Sequence, residues 1–196
     1  MREGLSEVGV APADVDLVLI SHGDTDHFIG LHDRRDTLAY VNARYVLHRK
    51  LRTARTGADG QADPATFYEE DQRVAQTLAE QIGEHILLVN DDEEIEPGLR
   101  GVNAAGHRSA HLAFELESEG RHLLSAEDTF IAPIFVNEQT RGCAANSDPD
   151  LGIPTRKALL RRAARVDTVL YAPLFPFPGF VGMTPHENHV AGESAV

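Results

Sequence analysis

The sequence predicts an α/β fold in which sheet packs on sheet with helices outside. Three observations carry that expectation. A continuous apolar run, Leu17 to Ile20, has the pattern of a strand buried on both faces. In the middle of the chain, His111 to Leu116 and His122 to Ser125 flank Glu119-Gly120 like the arms of a hairpin. After that, helix and strand alternate: Thr155 to Val166 reads as a helix and Val169 to Tyr171 as the last strand.

In chain order, Arg2 to Val8 is a short helix stopped by Gly9, and Pro12 separates it from the apolar run. Ala39 to Leu47 is rich in β-branched and aromatic residues but is interrupted at Asn42-Ala43-Arg44, so two short strands are expected there. Thr53 to Pro64 is small, polar and glycine-bearing, an exposed loop able to overhang a site. Phe67, Val74, Leu78 and Ile82 recur at near-helical spacing, which predicts an amphipathic helix. His85 to Val89 is a strand, and the acidic run Asp91 to Glu96 lacks the alternating ligands and central glycine of a calcium loop, so it reads as a solvated turn. Leu99 to Asn103 follows the Pro97-Gly98 turn as a further strand. In the helix from Thr155, that residue is the expected cap, with Leu159, Leu160 and Ala163 on one side. Residues 183–196 read as a mobile polar tail on a single domain spanning 1–196.

Composition narrows the function classes. A formal charge of −13 argues against a phosphate-backbone binder, which needs clustered Lys and Arg. The one dense basic stretch, Arg44 to Arg55, reads as a solvated face. Cys143 is the sole cysteine, which excludes an intramolecular disulfide and a cysteine-rich zinc cluster. No apolar run is long enough to span a bilayer, and the residues after Met1 do not form a signal-peptide core. The expectation is a cytoplasmic protein acting on a small molecule, with neither nucleic acid nor membrane as partner.

The segment that carries chemistry is Ile20 to Gly30, where His22, Asp24, Asp26 and His27 fall within six positions directly after a strand. Imidazole and carboxylate are suitable ligands for zinc, manganese or iron. Adjacent residues such as Asp26 and His27 point different ways, which suits a second ion. The segment resembles the HxHxDH signature of the metallo-β-lactamase superfamily, with His22, Asp26 and His27 matching and Asp24 at the place of the second histidine. Ala105 to His111, AGHRSAH, resembles the family's GHTxGH turn, and Ser125 to Phe130, SAEDTF, resembles SGDTLF. Ala172 to Gly179, APLFPFPG, resembles a closing segment of the methyl-parathion-hydrolase-like and lactonase branch, roughly HFPFPG. The resemblance runs from about Gly4 to Gly179.

This resemblance implies an αββα sandwich of the metallo-β-lactamase type, with a first sheet shortened at its N-terminal side because the family's opening strands precede HxHxDH. Without those strands, an unpaired edge favours association with further copies of the chain. The resemblance also implies a metal-dependent hydrolase in which a metal-bound hydroxide attacks an ester, lactone or phosphotriester. His22, Asp24 and His107 would hold one divalent metal, Asp26 and His27 part of a second, and Asp128 would bridge them; Asp26 would also orient the nucleophile. Zinc is the expected metal, while Asp24 in place of histidine adds hard oxygen character that admits manganese or iron. The family's last histidine falls on Leu174, which cannot ligate, with His186 and His189 as the nearest replacements. Two alternatives follow: a single-metal family member acting on thiols, or a non-catalytic scaffold. Of the remaining histidines, His111 reads as a hydrogen-bonding support, His122 as a strand surface residue, and His32, His48 and His85 as exposed or half-buried imidazoles.

Overall fold

The structure, a computed structural model, describes residues 2–32, 37–51, 80–165, 167–186 and 189–194, which fall into two compact units, Met1–Val89 and Asn90–Val196. In the first unit, helix α1 (Arg2–Glu7) ends near Gly9, whose φ of 77° is the left-handed conformation that glycine adopts without a Cβ penalty. Three strands, β1 (Leu17–Leu19), β2 (Arg44–His48) and β3 (Ile86–Val89), form a parallel sheet in that order. Leu17 lies opposite Arg44, and Tyr45 opposite Ile86. The Ile20 N–H donates to the Val46 carbonyl at 3.0 Å, so the pairing continues one residue past β1 and delivers the chain directly into the His22 turn.

Three expectations for this unit are corrected. Leu17 to Ile20 does not form a strand buried on both faces: among the described strands it lies at the sheet edge, and Leu17 to Leu19 are only partly covered while Ile20 is buried. Between Ala39 and Leu47 there is one strand, because Val41 and Asn42 turn the chain and only Arg44 onward joins the ladder. His48, expected to be exposed or half-buried, is buried, and its Nδ1 accepts the Lys50 N–H at 3.0 Å. The loop read over Thr53 to Pro64 lies outside the described residues, as does the following helix apart from residues 80–82, which are helical.

The second unit is built on a seven-stranded sheet. Its strands are β4 (Glu94–Glu96), β5 (Leu99–Asn103), β6 (Leu112–Ser118), β7 (Arg121–Ser125), β8 (Thr168–Tyr171), β9 (Phe180–His186) and β10 (His189–Ser194), ordered β10-β9-β8-β7-β6-β5-β4. The predicted hairpin is present, with φ of 52° at Glu119 and 75° at Gly120, the two left-handed residues that match a hairpin turn to the strand twist. All pairs are antiparallel except β7 with β8, whose parallel pairing requires a crossover. That crossover carries helices α2 (Ile134–Asn137) and α3 (Pro149–Ala163).

Register explains the core of this unit. Leu124 lies opposite Leu170, and Leu170 opposite Val181, which puts all three on one face with Leu159, Leu160 and Ala163 of α3 in the same buried cluster. Fully burying side chains such as Leu159 and Leu160 contributes about 1.5–3 kcal/mol each. Helix α3 starts six residues before the expected Thr155: Asp148 is its cap, accepting the Leu151 N–H at 2.9 Å, and Pro149 takes the first helical position. Pro154 sits inside the helix, which is why the sequence suggested a later start. The acidic run does not stay a simple turn, since Glu94–Glu96 forms the edge strand β4. Val169 to Tyr171 is followed by β9 and β10, so strands run through most of the segment read as a tail.

Candidate metal centre

Each unit presents part of the predicted donor set at the carboxyl end of a strand. In the first unit, the chain leaves β1 and turns through two short helical turns, Thr25–His27 and Ile29–Leu31. Buried Phe28 and Leu31 anchor these turns. His22 is fully buried, and its Nε2 lies 3.6 Å from Asp24 Oδ2. His27 Nε2 lies 3.7 Å from Asp26 Oδ2, and the Asp26 side chain is 78% exposed. The rings of His22 and His27 stand 4.0 Å apart between centroids.

Ser21, which sequence reasoning passed over, organises this turn. Its Oγ lies 3.0 Å from Nδ1 of His22 and 3.3 Å from Nδ1 of His27. One hydroxyl thus engages the Nδ1 edge of both rings and leaves Nε2 of each directed elsewhere, a division of labour that fixes which nitrogen is offered to a ligand. The only signal in the sequence was a serine directly before the first histidine.

In the second unit, β5 runs into the Ala104–Ala110 turn that carries His107, and β7 runs into the short turn Glu127–Thr129 that carries Asp128. Both residues are buried, with His107 Nε2 3.5 Å from Asp128 Oδ2. His111 is buried with its ring 5.8 Å from that of His107, edge to face. Glu127 has a φ of 46° and accepts the Ser125 hydroxyl at 2.5 Å. Leu174, at the place of the family's last histidine, is half-exposed in the turn after β8, and the side chains of His186 and His189 lie outside the described residues.

The structure therefore groups His22, Asp24, Asp26 and His27 in one turn of the first unit and His107 with Asp128 in the second. The chemistry of this donor set suits a divalent cation. Buried carboxylates such as Asp24 and Asp128 are costly without positive charge, and imidazole with carboxylate oxygen matches zinc, manganese or iron. No helix among the described residues is long and apolar enough to cross a membrane.

Comparison with known proteins bears on the fold and the family. No curated protein matches the chain. Among solved structures, the hydrolase AbOPH of the beta lactamase superfamily is similar with a TM-score of 0.80 at 20% identity, over 100% of this chain and 69% of that one. The dizinc quorum-quenching lactonase AidC, in complex with the product N-hexanoyl-L-homoserine, gives 0.78 at 17% identity, over 100% and 70%. An AiiA variant from B. thuringiensis with N-decanoyl-L-homoserine at its active site gives 0.62 at 19%, over 91% and 66%. At these identities the likeness establishes the fold, which is the α/β class read from the sequence. The sequence profile of the metallo-beta-lactamase superfamily matches residues 1–172, and the chain belongs to that superfamily of metallo-hydrolases.

Proposed function

We propose that this protein is a metal-dependent hydrolase of a small ester, lactone or phosphotriester, with His22, Asp24, Asp26, His27, His107 and Asp128 as the residues that hold its metal. The observation that carries the proposal is the repeated pairing of a buried imidazole with a buried carboxylate, His22 with Asp24 and His107 with Asp128, each in a turn that follows a strand. When bound, a divalent metal supplies Lewis acidity, lowering the pKa of a water and polarising the carbonyl or phosphoryl oxygen of the substrate.

The remaining steps belong to the chain itself. His22, Asp24 and His107 would hold one metal and His27 and Asp26 would contribute to a second, with Asp128 as a further carboxylate donor. Asp26, whose carboxylate is the exposed member of the group, accepts a hydrogen bond from the attacking water and orients it. A cavity of about 230 Å³ lies between α2 and the turn that follows β8, lined by Pro133, Val136, Phe175, Phe177 and Pro178 and by none of the proposed donors. The similarity to lactonases that hold N-acyl homoserine products supports the substrate class.

The test is turnover of three substrates, an N-acyl homoserine lactone, an aryl ester and an aryl phosphotriester, by protein stripped with a chelator and then reloaded with zinc, manganese or iron. Hydrolysis of at least one substrate, abolished by stripping and restored by reloading, is expected. A folded, metal-loaded protein that hydrolyses none of them would contradict the proposal. Oxidation of a thiol by protein holding one iron would instead favour the single-metal alternative.

A further inference from the structure

The turn that carries His107 is held from outside. Arg108 is buried, with only 5% of its surface exposed, yet its guanidinium faces no bulk water and instead spans two backbone segments. Its Nη1 donates to the His107 carbonyl at 2.7 Å and to the Ala145 carbonyl at 3.0 Å. The chain from Cys143 to Asp148 answers with two further bonds: the Ser147 N–H donates to the His107 carbonyl at 3.0 Å, and the Asp148 N–H to the Gly106 carbonyl at 3.0 Å.

Behind these bonds two glycines meet. Gly106 has a φ of 136°, and a Cβ there would lie 2.7 Å from the Gly152 nitrogen and closer still to the Gly152 Cα. A side chain at Gly152 would in turn run into the Asn146 amide. The backbone around His107 is thus pressed onto the first turns of α3, whose Asp148 cap is itself one of the clamping residues.

We infer that Arg108 is a positioning residue for His107: its buried guanidinium ties the His107 carbonyl to Ala145 and, with the Gly106–Gly152 contact, fixes the backbone that carries the imidazole against the N-terminal end of α3. The inference rests on the ligand role proposed for His107. A charged donor serves here because hydrogen bonds from an ionised group are about twice as strong as neutral ones, and a buried pair of carbonyls gives the cation a polar surround. Groups that orient a metal ligand typically change metal affinity by roughly 10–100-fold when removed. Lysine keeps the charge but presents a compact ammonium on a different stem, so it restores the clamp in part.

The experiment is competition for zinc between a chromophoric chelator and four proteins: the parent chain, Arg108→Met, Arg108→Lys and Leu160→Ala. The last destabilises the core through α3 without removing any of the four hydrogen bonds of the clamp. Cobalt(II) absorption of each loaded protein serves as a second readout of ligand geometry. Arg108→Met is expected to bind zinc roughly 10–100-fold more weakly with altered cobalt bands, Arg108→Lys to fall between it and the parent, and Leu160→Ala to match the parent once folded. Should Arg108→Met fail to fold, the same comparison of Arg108→Lys with Leu160→Ala decides, a several-fold loss confined to the lysine variant being expected. Parent-like zinc affinity and cobalt bands in folded Arg108 variants would overturn the clamp while leaving the metal reading intact. An equal loss in Leu160→Ala would also overturn it, by showing that general stability sets affinity. A parent chain that binds no metal would remove the ligand role of His107 and this inference together.

Discussion

The two turns that carry the donors are stabilised in different ways. The His22 turn in the first unit is made by its own neighbours: Ser21 touches both histidines, Asp24 approaches His22, and the bonds His27 N–H to Asp24 carbonyl and Phe28 N–H to Thr25 carbonyl close within the segment. The His107 turn also closes bonds of its own, Ala104 N–H to the His111 carbonyl and Ala105 N–H to Asn103 Oδ1, but is held in addition by residues about 40 positions away in sequence, through Ala145, Ser147, Asp148 and Gly152. A self-contained turn encodes its geometry in a short motif. A braced turn depends on a helix start far along the chain, so changes there reach the site without touching a ligand.

The largest effect that bears on this contrast is expected from removing a donor outright. His107→Ala should lose most of the bound metal, because the neighbouring buried carboxylate is left without an imidazole partner. His122→Ala, on β7 away from the turn, should leave metal content unchanged. Metal analysis of both purified variants checks this, and unchanged content in His107→Ala would remove that turn from the site.

An intermediate effect is expected within the self-contained turn. Ser21→Ala frees the Nδ1 edge of both rings at once, and should weaken metal binding by roughly 10-fold, at the lower end of what orienting groups contribute. Chelator competition measures it. Equal affinity would mean that packing of Phe28 and Leu31, with the bonds of the turn itself, already fixes both imidazoles.

How much of this was legible in the sequence follows from the same contrast. The candidate donors and their places after strands were readable, because His22 to His27 sit within one motif, and so was the hairpin around Glu119-Gly120, which announces itself by turn chemistry. The brace was not readable. Arg108 looks like any surface arginine in a polar turn, and nothing local says that Gly106 must approach Gly152. The start of α3 at Asp148-Pro149 was missed for a related reason: Pro154 looks like a boundary, and only the capping bond to Leu151 shows that the helix begins earlier. Strands β9 and β10 were missed because Gly182, Pro185 and Gly192 read as strand breakers, and their pairing in the sheet is a tertiary matter.

The smallest effect concerns the far end of the helix that braces His107. Glu115 on β6 receives Arg162 at 2.9 Å and Arg165 at 3.2 Å, tethering the C-terminal end of α3 to the sheet. Burial pushes the Glu115 carboxyl up, but the Arg162 hydrogen bond and the charges of Arg162, Arg165 and His122 outweigh it and hold it below the usual carboxylate range. A carboxyl lowered on folding stabilises above its unfolded value of about 4.3, and that stability is lost as pH falls through the folded value. Glu115→Gln should therefore lower the thermal midpoint at pH 7 by roughly 2–4 °C, about 1 kcal/mol after allowing for the exposure of both arginines. The gap should close as the pH is taken below about 4. A gap that stays constant with pH would assign the effect to packing.

The central claim, that these two turns together hold metal for hydrolysis, is tested most directly by the metal content of the purified parent chain after supply of zinc, manganese or iron and removal of excess. The account predicts tightly held metal, two equivalents if the Asp26 and His27 set fills despite Leu174 and one if only the His22, Asp24 and His107 set does. A folded chain that retains no metal under these conditions would contradict it, and would leave a scaffold without metallo-hydrolase chemistry.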